Sequence, residues 1–136
     1  MPTLSPTILV LEDDEPLLEA ITTKLSDAGF RVLGTRTVNQ ALDFIANMPS
    51  IDAVWVDHYL PGKTGNEFVE AMRKDPRWRT VPVFLVTNTI SPEIVNQYIR
   101  LGITKYYLKV VSSLASIVSE IALTLQTLRS EARNED

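Results

Sequence analysis

The sequence predicts an α/β domain, a doubly wound five-stranded parallel sheet covered by helices on both faces. Short apolar runs of strand length alternate with stretches whose apolar residues recur at helical spacing. Parallel neighbours need crossover connections, which are right-handed, so this alternation puts helices on both faces of one sheet. A further observation is chemical. Glu12 and Asp13 follow Ile8-Leu9-Val10-Leu11, Asp57 follows Ala53-Val54-Trp55-Val56, Thr87 follows Val83-Phe84-Leu85-Val86, and Lys109 follows Tyr106-Tyr107-Leu108. If the strands run parallel, all five polar residues meet at one edge.

Each element has its own local reason. After the first strand, Leu17, Leu18, Ile21, Leu25 and Ala28 form a helical stripe that Gly29 stops. Phe30 to Gly34 is a second short strand and completes a βαβ unit. Val38, Ala41, Leu42 and Ile45 mark the second helix, and Asp52 to Val56 the third strand. Phe68, Val69 and Met72 mark a third helix that ends before Asp75-Pro76, since a residue preceding proline avoids helical backbone angles. Val81 to Val86 is strand four. Ser91-Pro92-Glu93 opens helix four, with proline in a first turn whose N–H groups have no helical partner anyway. Lys105 to Leu108 is strand five. Leu114, Ile117, Val118, Ile121, Leu125 and Leu128 carry helix five to Ser130, beyond which the polar Glu131 to Asp136 is expected to fray.

The chain has 136 residues, 45% hydrophobic and 22% charged, which suits one core and one main site. A formal net charge of −4 argues against the broad cationic surface that neutralises nucleic-acid phosphates. Without cysteine there is neither a disulfide framework nor a thiolate metal site, and a single histidine rules out a poly-histidine centre. No apolar run approaches the roughly 18 residues of a membrane span, and Met1 to Thr7 lacks the basic start and long apolar stretch of a signal peptide. The expectation is a soluble cytoplasmic protein that engages neither nucleic acid nor membrane.

Ligands of open α/β sheets bind outside the carboxyl ends of the strands, where strand order reverses. On Glu12, Asp13, Asp57, Thr87 and Lys109, in that order and spacing, the chain resembles the receiver domain of two-component response regulators, with its (βα)5 flavodoxin-like fold and strand order 2-1-3-4-5. The resemblance runs from about Thr7 to Ser130, so residues 1–130 are taken as a receiver domain and 131–136 as a polar tail. It implies that Glu12 and Asp13 hold a divalent cation and that Asp57, ahead of Leu60-Pro61-Gly62, is the phosphorylated aspartate. It also implies that Thr87 contacts the phosphoryl group, that Lys109 is the family's lysine and that Tyr106 is its aromatic switch residue. The donor it implies is a phosphohistidine on a sensor histidine kinase or a histidine phosphotransfer protein, and the output an effector protein.

The chemistry agrees with these assignments. Phosphoryl transfer is accelerated mainly by positioning and by neutralising charge, so a carboxylate nucleophile among other carboxylates requires a cation. Mg2+ takes one or two carboxylates plus phosphate oxygens and keeps water, which suits Asp13 and Asp57 as direct ligands, Glu12 through water, and a backbone carbonyl at Tyr59. Lys109 supplies a compact positive charge, and Thr87 a neutral hydroxyl donor.

Plainer roles compete at each position. Glu12 to Glu15 are also what the positive end of a helix attracts, and either Asp14 or Glu15 serves as a cap before Pro16. Asp57 suits a turn before Pro61-Gly62, Thr87 an ordinary strand end, and Lys109 an edge that must not aggregate. Their coincidence at one edge favours function for the set. Tyr106 and Tyr107 stay open between packing and switching. His58 invites a proton-transfer role, but alternation turns it away from Asp57, toward solvent or a helix.

Two residues depart from the receiver pattern. Val110 stands where proline usually follows the lysine, and a cis bond before valine costs roughly 2.5–4 kcal/mol, so the Lys109–Val110 peptide is expected to be trans. Asn88 replaces a very small residue and is expected to narrow access to the phosphoryl group, while Tyr59 is expected to shield that group from water.

The leading function is a single-domain, phosphoryl-accepting switch and not an enzyme acting on a separate substrate. Its output would be a changed surface on helix four, strand five and helix five. The alternative is a phosphorylation-independent interaction module of the same fold. A flavodoxin is disfavoured because the acids after strand one would repel a flavin phosphate. An aspartate-nucleophile phosphatase needs a second aspartate where Tyr59 stands.

Overall fold

The computed structural model describes residues 5–88, 90–109 and 111–134. Strands β1 (Thr7–Leu11), β2 (Arg31–Thr35), β3 (Ala53–Val56), β4 (Val83–Thr87) and β5 (Lys105–Leu108) form one parallel sheet in the order β2-β1-β3-β4-β5. They alternate with helices α1 (Glu15–Asp27), α2 (Val38–Asn47), α3 (Gly65–Arg73), α4 (Pro92–Arg100) and α5 (Leu114–Asn134). The predicted class and strand order are therefore observed. Leu11 is level with Thr35 and Val56, and Thr87 with Leu108, so the carboxyl ends line up along one edge.

Period-two alternation divides the core between the two faces of the sheet. Leu9, Leu11, Val54, Val56, Val83 and Leu85 pack with side chains of α2, α3 and α4. Ile8, Val10, Ala53, Trp55, Phe84 and Val86 pack with α1 and α5. Each layer holds one of the two tryptophans, Trp78 in the first and Trp55 in the second.

Local chemistry sets the boundaries. Asp14 caps α1 by accepting from the Leu17 N–H at 3.1 Å, which settles one of the four acids as structural. Ser91 does the same for α4 through the Ile94 N–H at 3.3 Å. Gly29 takes φ +94°, a conformation that glycine adopts without strain, and ends α1 as expected. That ending also claims Phe30, whose N–H donates back to the Leu25 carbonyl, so β2 begins one residue later than predicted. Strand four likewise starts at Val83, not Val81. A short 3-10 turn at Pro76–Trp78, absent from the prediction, is pinned by the Trp78 indole N–H donating to the Ile45 carbonyl at 3.0 Å.

Helix α5 continues past Ser130 to Asn134, because Glu131, Ala132 and Arg133 are good helix formers and no glycine or proline intervenes. Among the described residues, no helix is long and apolar enough to cross a membrane. The end of α4 is held by Arg73 of α3, whose guanidinium donates to the carbonyls of Leu101, Gly102, Trp78 and Val81 at 2.8–3.1 Å. Burial pulls its pKa down, and the four carbonyls take the place of water around the charge.

Candidate functional site

Three of the predicted residues stand one step past a strand, held by a final ladder hydrogen bond. The Glu12 N–H donates to Thr35 at 3.0 Å, that of Asp57 to Leu11 at 3.1 Å, and that of Lys109 to Thr87 at 2.9 Å. The sheet therefore fixes their backbones before any side-chain contact forms. Alternation then turns Glu12 and Asp57 toward one another on the α1/α5 side of the edge.

The side chains converge. Lys109 Nζ donates to Glu12 Oε1 at 2.5 Å and to Asp57 Oδ2 at 3.0 Å. Glu12, Asp13 and Asp57 each offer a carboxylate oxygen within 4.8 Å of the others. Glu12 and Asp57 are buried, whereas Asp13 is half-buried. Burial pushes the Glu12 carboxyl up to about 7; the Lys109 hydrogen bond opposes this and the Asp57 charge adds to it. Burial acts to lower the Lys109 pKa, but hydrogen bonds to Glu12 and Asp57 outweigh it and hold the ammonium above its ordinary value.

These residues fit a hard divalent cation. Three carboxylates face a single ammonium, and Glu12 Oε2 is buried with no hydrogen-bond partner among the described residues. A buried carboxylate oxygen left unpaired is costly, and a cation or its bound water would satisfy it. All-oxygen donors with room for water suit Mg2+. The Thr87 hydroxyl is likewise buried without a partner among the described residues, so it has a hydrogen bond to give.

The other predicted residues lie around this cluster. Tyr59 is 51% exposed, and its N–H reaches Asp57 Oδ1 at 3.4 Å, a long contact. Asn88 is exposed and lines a groove with Ile90, Pro92, Val95, Tyr106 and Leu108. Tyr106 is 45% exposed on that groove and takes no part in the carboxylate cluster, while Tyr107 is buried in the α1/α5 layer. His58 faces a helix: it is buried, with Nδ1 2.9 Å from the Tyr98 hydroxyl of α4. The Lys109–Val110 peptide lies outside the described residues.

Two neighbours of the site escaped sequence reasoning. Arg36, just after β2, donates from Nε and Nη2 to the Asp13 carbonyl at 3.2 and 3.1 Å, and its Nη1 lies 3.5 Å from Glu15. Nothing in the sequence marks this arginine. Tyr98 had a faint signal, since it falls four residues after Ile94 and so continues the inward stripe of α4 with a polar tip.

The family described as Response regulator receiver domain matches residues 8–122. Protein RcaC of Microchaete diplosiphon is 28% identical over 125 residues, 92% of this chain, yet the chain spans only 19% of RcaC. Two-component response regulator ORR8 of Oryza sativa subsp. indica is 27% identical over 105 residues, which are 77% of this chain and 87% of that protein. The crystal structure of a response regulator receiver domain protein (CheY-like) from Methanospirillum hungatei JF-1 superposes with a TM-score of 0.84 at 23% identity, covering 93% of this chain and 98% of the other, a likeness of fold. With the family matched across most of the sheet and helices, this chain belongs to the response regulator receiver domains, a signalling family of two-component systems.

Proposed function

We propose that Asp57 accepts a phosphoryl group from a phosphohistidine on a sensor kinase or phosphotransfer protein in the cytoplasm, and that the modified protein signals by altered contact with an effector. The observation that carries this reading is the lodging of Asp57 against Glu12, Asp13 and Lys109 at the switch point of the sheet. An Asp57 carboxylate oxygen attacks phosphorus, the donor's P–N bond breaks, and the imidazole departs with the bonding electron pair. Mg2+ held by Asp13, Asp57, the Tyr59 carbonyl and, through water, Glu12 would neutralise charge on the phosphoryl oxygens.

Lys109, which bonds to Asp57 Oδ2, is within reach of the incoming oxygens, and Thr87 donates its free hydroxyl to one of them. Drawing Thr87 toward the phosphoryl group pulls on the segment before α4, and Tyr106 leaves its exposed position in response. The surface of α4, β5 and α5, where Ile99 and Tyr106 lie exposed, then changes for a protein partner. Transfer and later hydrolysis both use the chain's own residues, so the domain promotes its own modification and its own reset.

The test is intact-protein mass after incubation with a small acyl phosphate and Mg2+, beside Asp57→Asn and a chelator control. A single phosphoryl adduct lost in both controls supports the reading. A folded protein that takes no adduct from either a small donor or a kinase rejects it and leaves phosphorylation-independent binding.

A further inference from the structure

Tyr98 projects from α4 but is fully buried, and its hydroxyl meets Nδ1 of His58, the residue directly after Asp57, at 2.9 Å. The two rings lie edge to face at 5.6 Å, and His58 meets Tyr59 in the same manner at 4.8 Å. The same segment is also tied to α3, where the His58 carbonyl accepts the Gly65 N–H at 3.0 Å. A Cβ on Gly65 would come within 2.6 Å of the Tyr98 oxygen and would also collide with the Asp57 carbonyl. The phenol oxygen thus sits against both the residue after the nucleophile and the first turn of α3.

Packing alone does not call for this hydroxyl. A phenylalanine would fill the same apolar layer, whereas a buried phenol must find a partner. The partner is the imidazole nitrogen nearer the main chain, so the bond constrains the backbone of residues 57–59 as well as a ring. Burial raises the Tyr98 pKa, with the Asp57 charge adding to it, and burial lowers that of His58, so both groups favour their neutral forms and the imidazole tautomer sets which of the two donates.

We infer that Tyr98 and His58 form a positioning pair through which α4 sets the backbone of Asp57 to Tyr59, and thereby the affinity of the carboxylate cluster for Mg2+. The inference rests on the reading of that cluster as a Mg2+ site. Groups that orient metal ligands without touching the metal govern affinity in this manner. The link is also separate from the one through Thr87: it runs from Tyr98, in the last turn of α4, to the residue directly after Asp57 and does not pass through the Thr87 hydroxyl.

The experiment is calorimetric titration of Mg2+ into the unmodified protein, Tyr98→Phe, His58→Ala and His58→Asn, each verified as folded by circular dichroism. Tyr98→Phe and His58→Ala are expected to weaken Mg2+ about tenfold. His58→Asn, whose side-chain amide can stand in for Nδ1 as acceptor or as donor, is expected to recover most of the loss. A purely structural role lowers the unfolding midpoint and leaves Mg2+ affinity alone, so unchanged affinity in folded Tyr98→Phe overturns the pairing. If Tyr98→Phe does not fold, equal affinities in His58→Asn and His58→Ala overturn it instead. Failure of the unmodified protein to bind Mg2+ overturns the metal reading itself, and the pair's role with it.

Discussion

Lys109 Nζ stands 2.5 Å from Oε1 of Glu12, joining the end of β5 to the end of β1 through a carboxylate that is only 1% exposed. The ammonium covers one oxygen and leaves the other without a partner among the described residues. Glu12 is therefore held between burial, which favours its protonated form, and Lys109, which favours its charged form.

This conflict predicts a pH dependence. Glu12 titrates near 4.5 when unfolded and about 7 when folded. A raised acid pKa stabilises the fold fully below the unfolded value, and that contribution is lost as pH rises through the folded one. Relative to Glu12→Gln, the metal-free protein should lose stability as pH rises from 4.5 to 7. Urea midpoints of both proteins across that range measure it. Parallel pH profiles would show that Glu12 does not titrate in this window.

Removing the cation should expose the repulsion it contains. Lys109→Met leaves Glu12 and Asp57 without their shared partner and is expected to cost about 3 kcal/mol, as when one member of a buried ion pair is deleted. Added Mg2+ should restore part of the loss. Urea unfolding with and without Mg2+ reads both effects, and a variant as stable as the parent would contradict the argument.

At Gly65, space is the constraint and not backbone angle. A methyl group there would press on the Asp57 carbonyl and the Tyr98 hydroxyl together. Gly65→Ala should destabilise the protein by about 2 kcal/mol, in the range of overpacked cores, and slow modification at Asp57. Thermal melts and the mass assay follow the two consequences independently.

Tyr59 offers a test of shielding. Tyr59 is 51% exposed two residues after Asp57, and its ring leans edge-on against His58. Tyr59→Ala should shorten the lifetime of the phosphorylated protein severalfold in Mg2+ buffer, measured by loss of the adduct mass. An unchanged lifetime removes the shielding role.

The sheet was readable because both its faces are covered: five short runs of strand length, four of them followed by a distinctive polar residue, leave little freedom of interpretation. Where runs blur into caps, the reading slipped. Phe30 is apolar enough for a strand, but its N–H belongs to the end of α1. Asp57, Glu12 and Lys109 were found because strand ends bring them together whatever their side chains do. Arg36 and Arg73 were missed for the opposite reason, since both bind main-chain carbonyls, which have no signature in sequence. The His58–Tyr98 bond spans 40 residues and depends on the placement of α4, so alternation could say that His58 faces away from Asp57 but not what it would meet.

The division of the core between two layers supplies the molecule with its own pair of optical reporters. Trp55 emits from the layer of α1 and α5, Trp78 from that of α2, α3 and α4. Replacing either one with phenylalanine would leave a single indole, so stopped-flow fluorescence could time the assembly of each layer separately. The sheet would then be seen acquiring its two helical covers together or in succession.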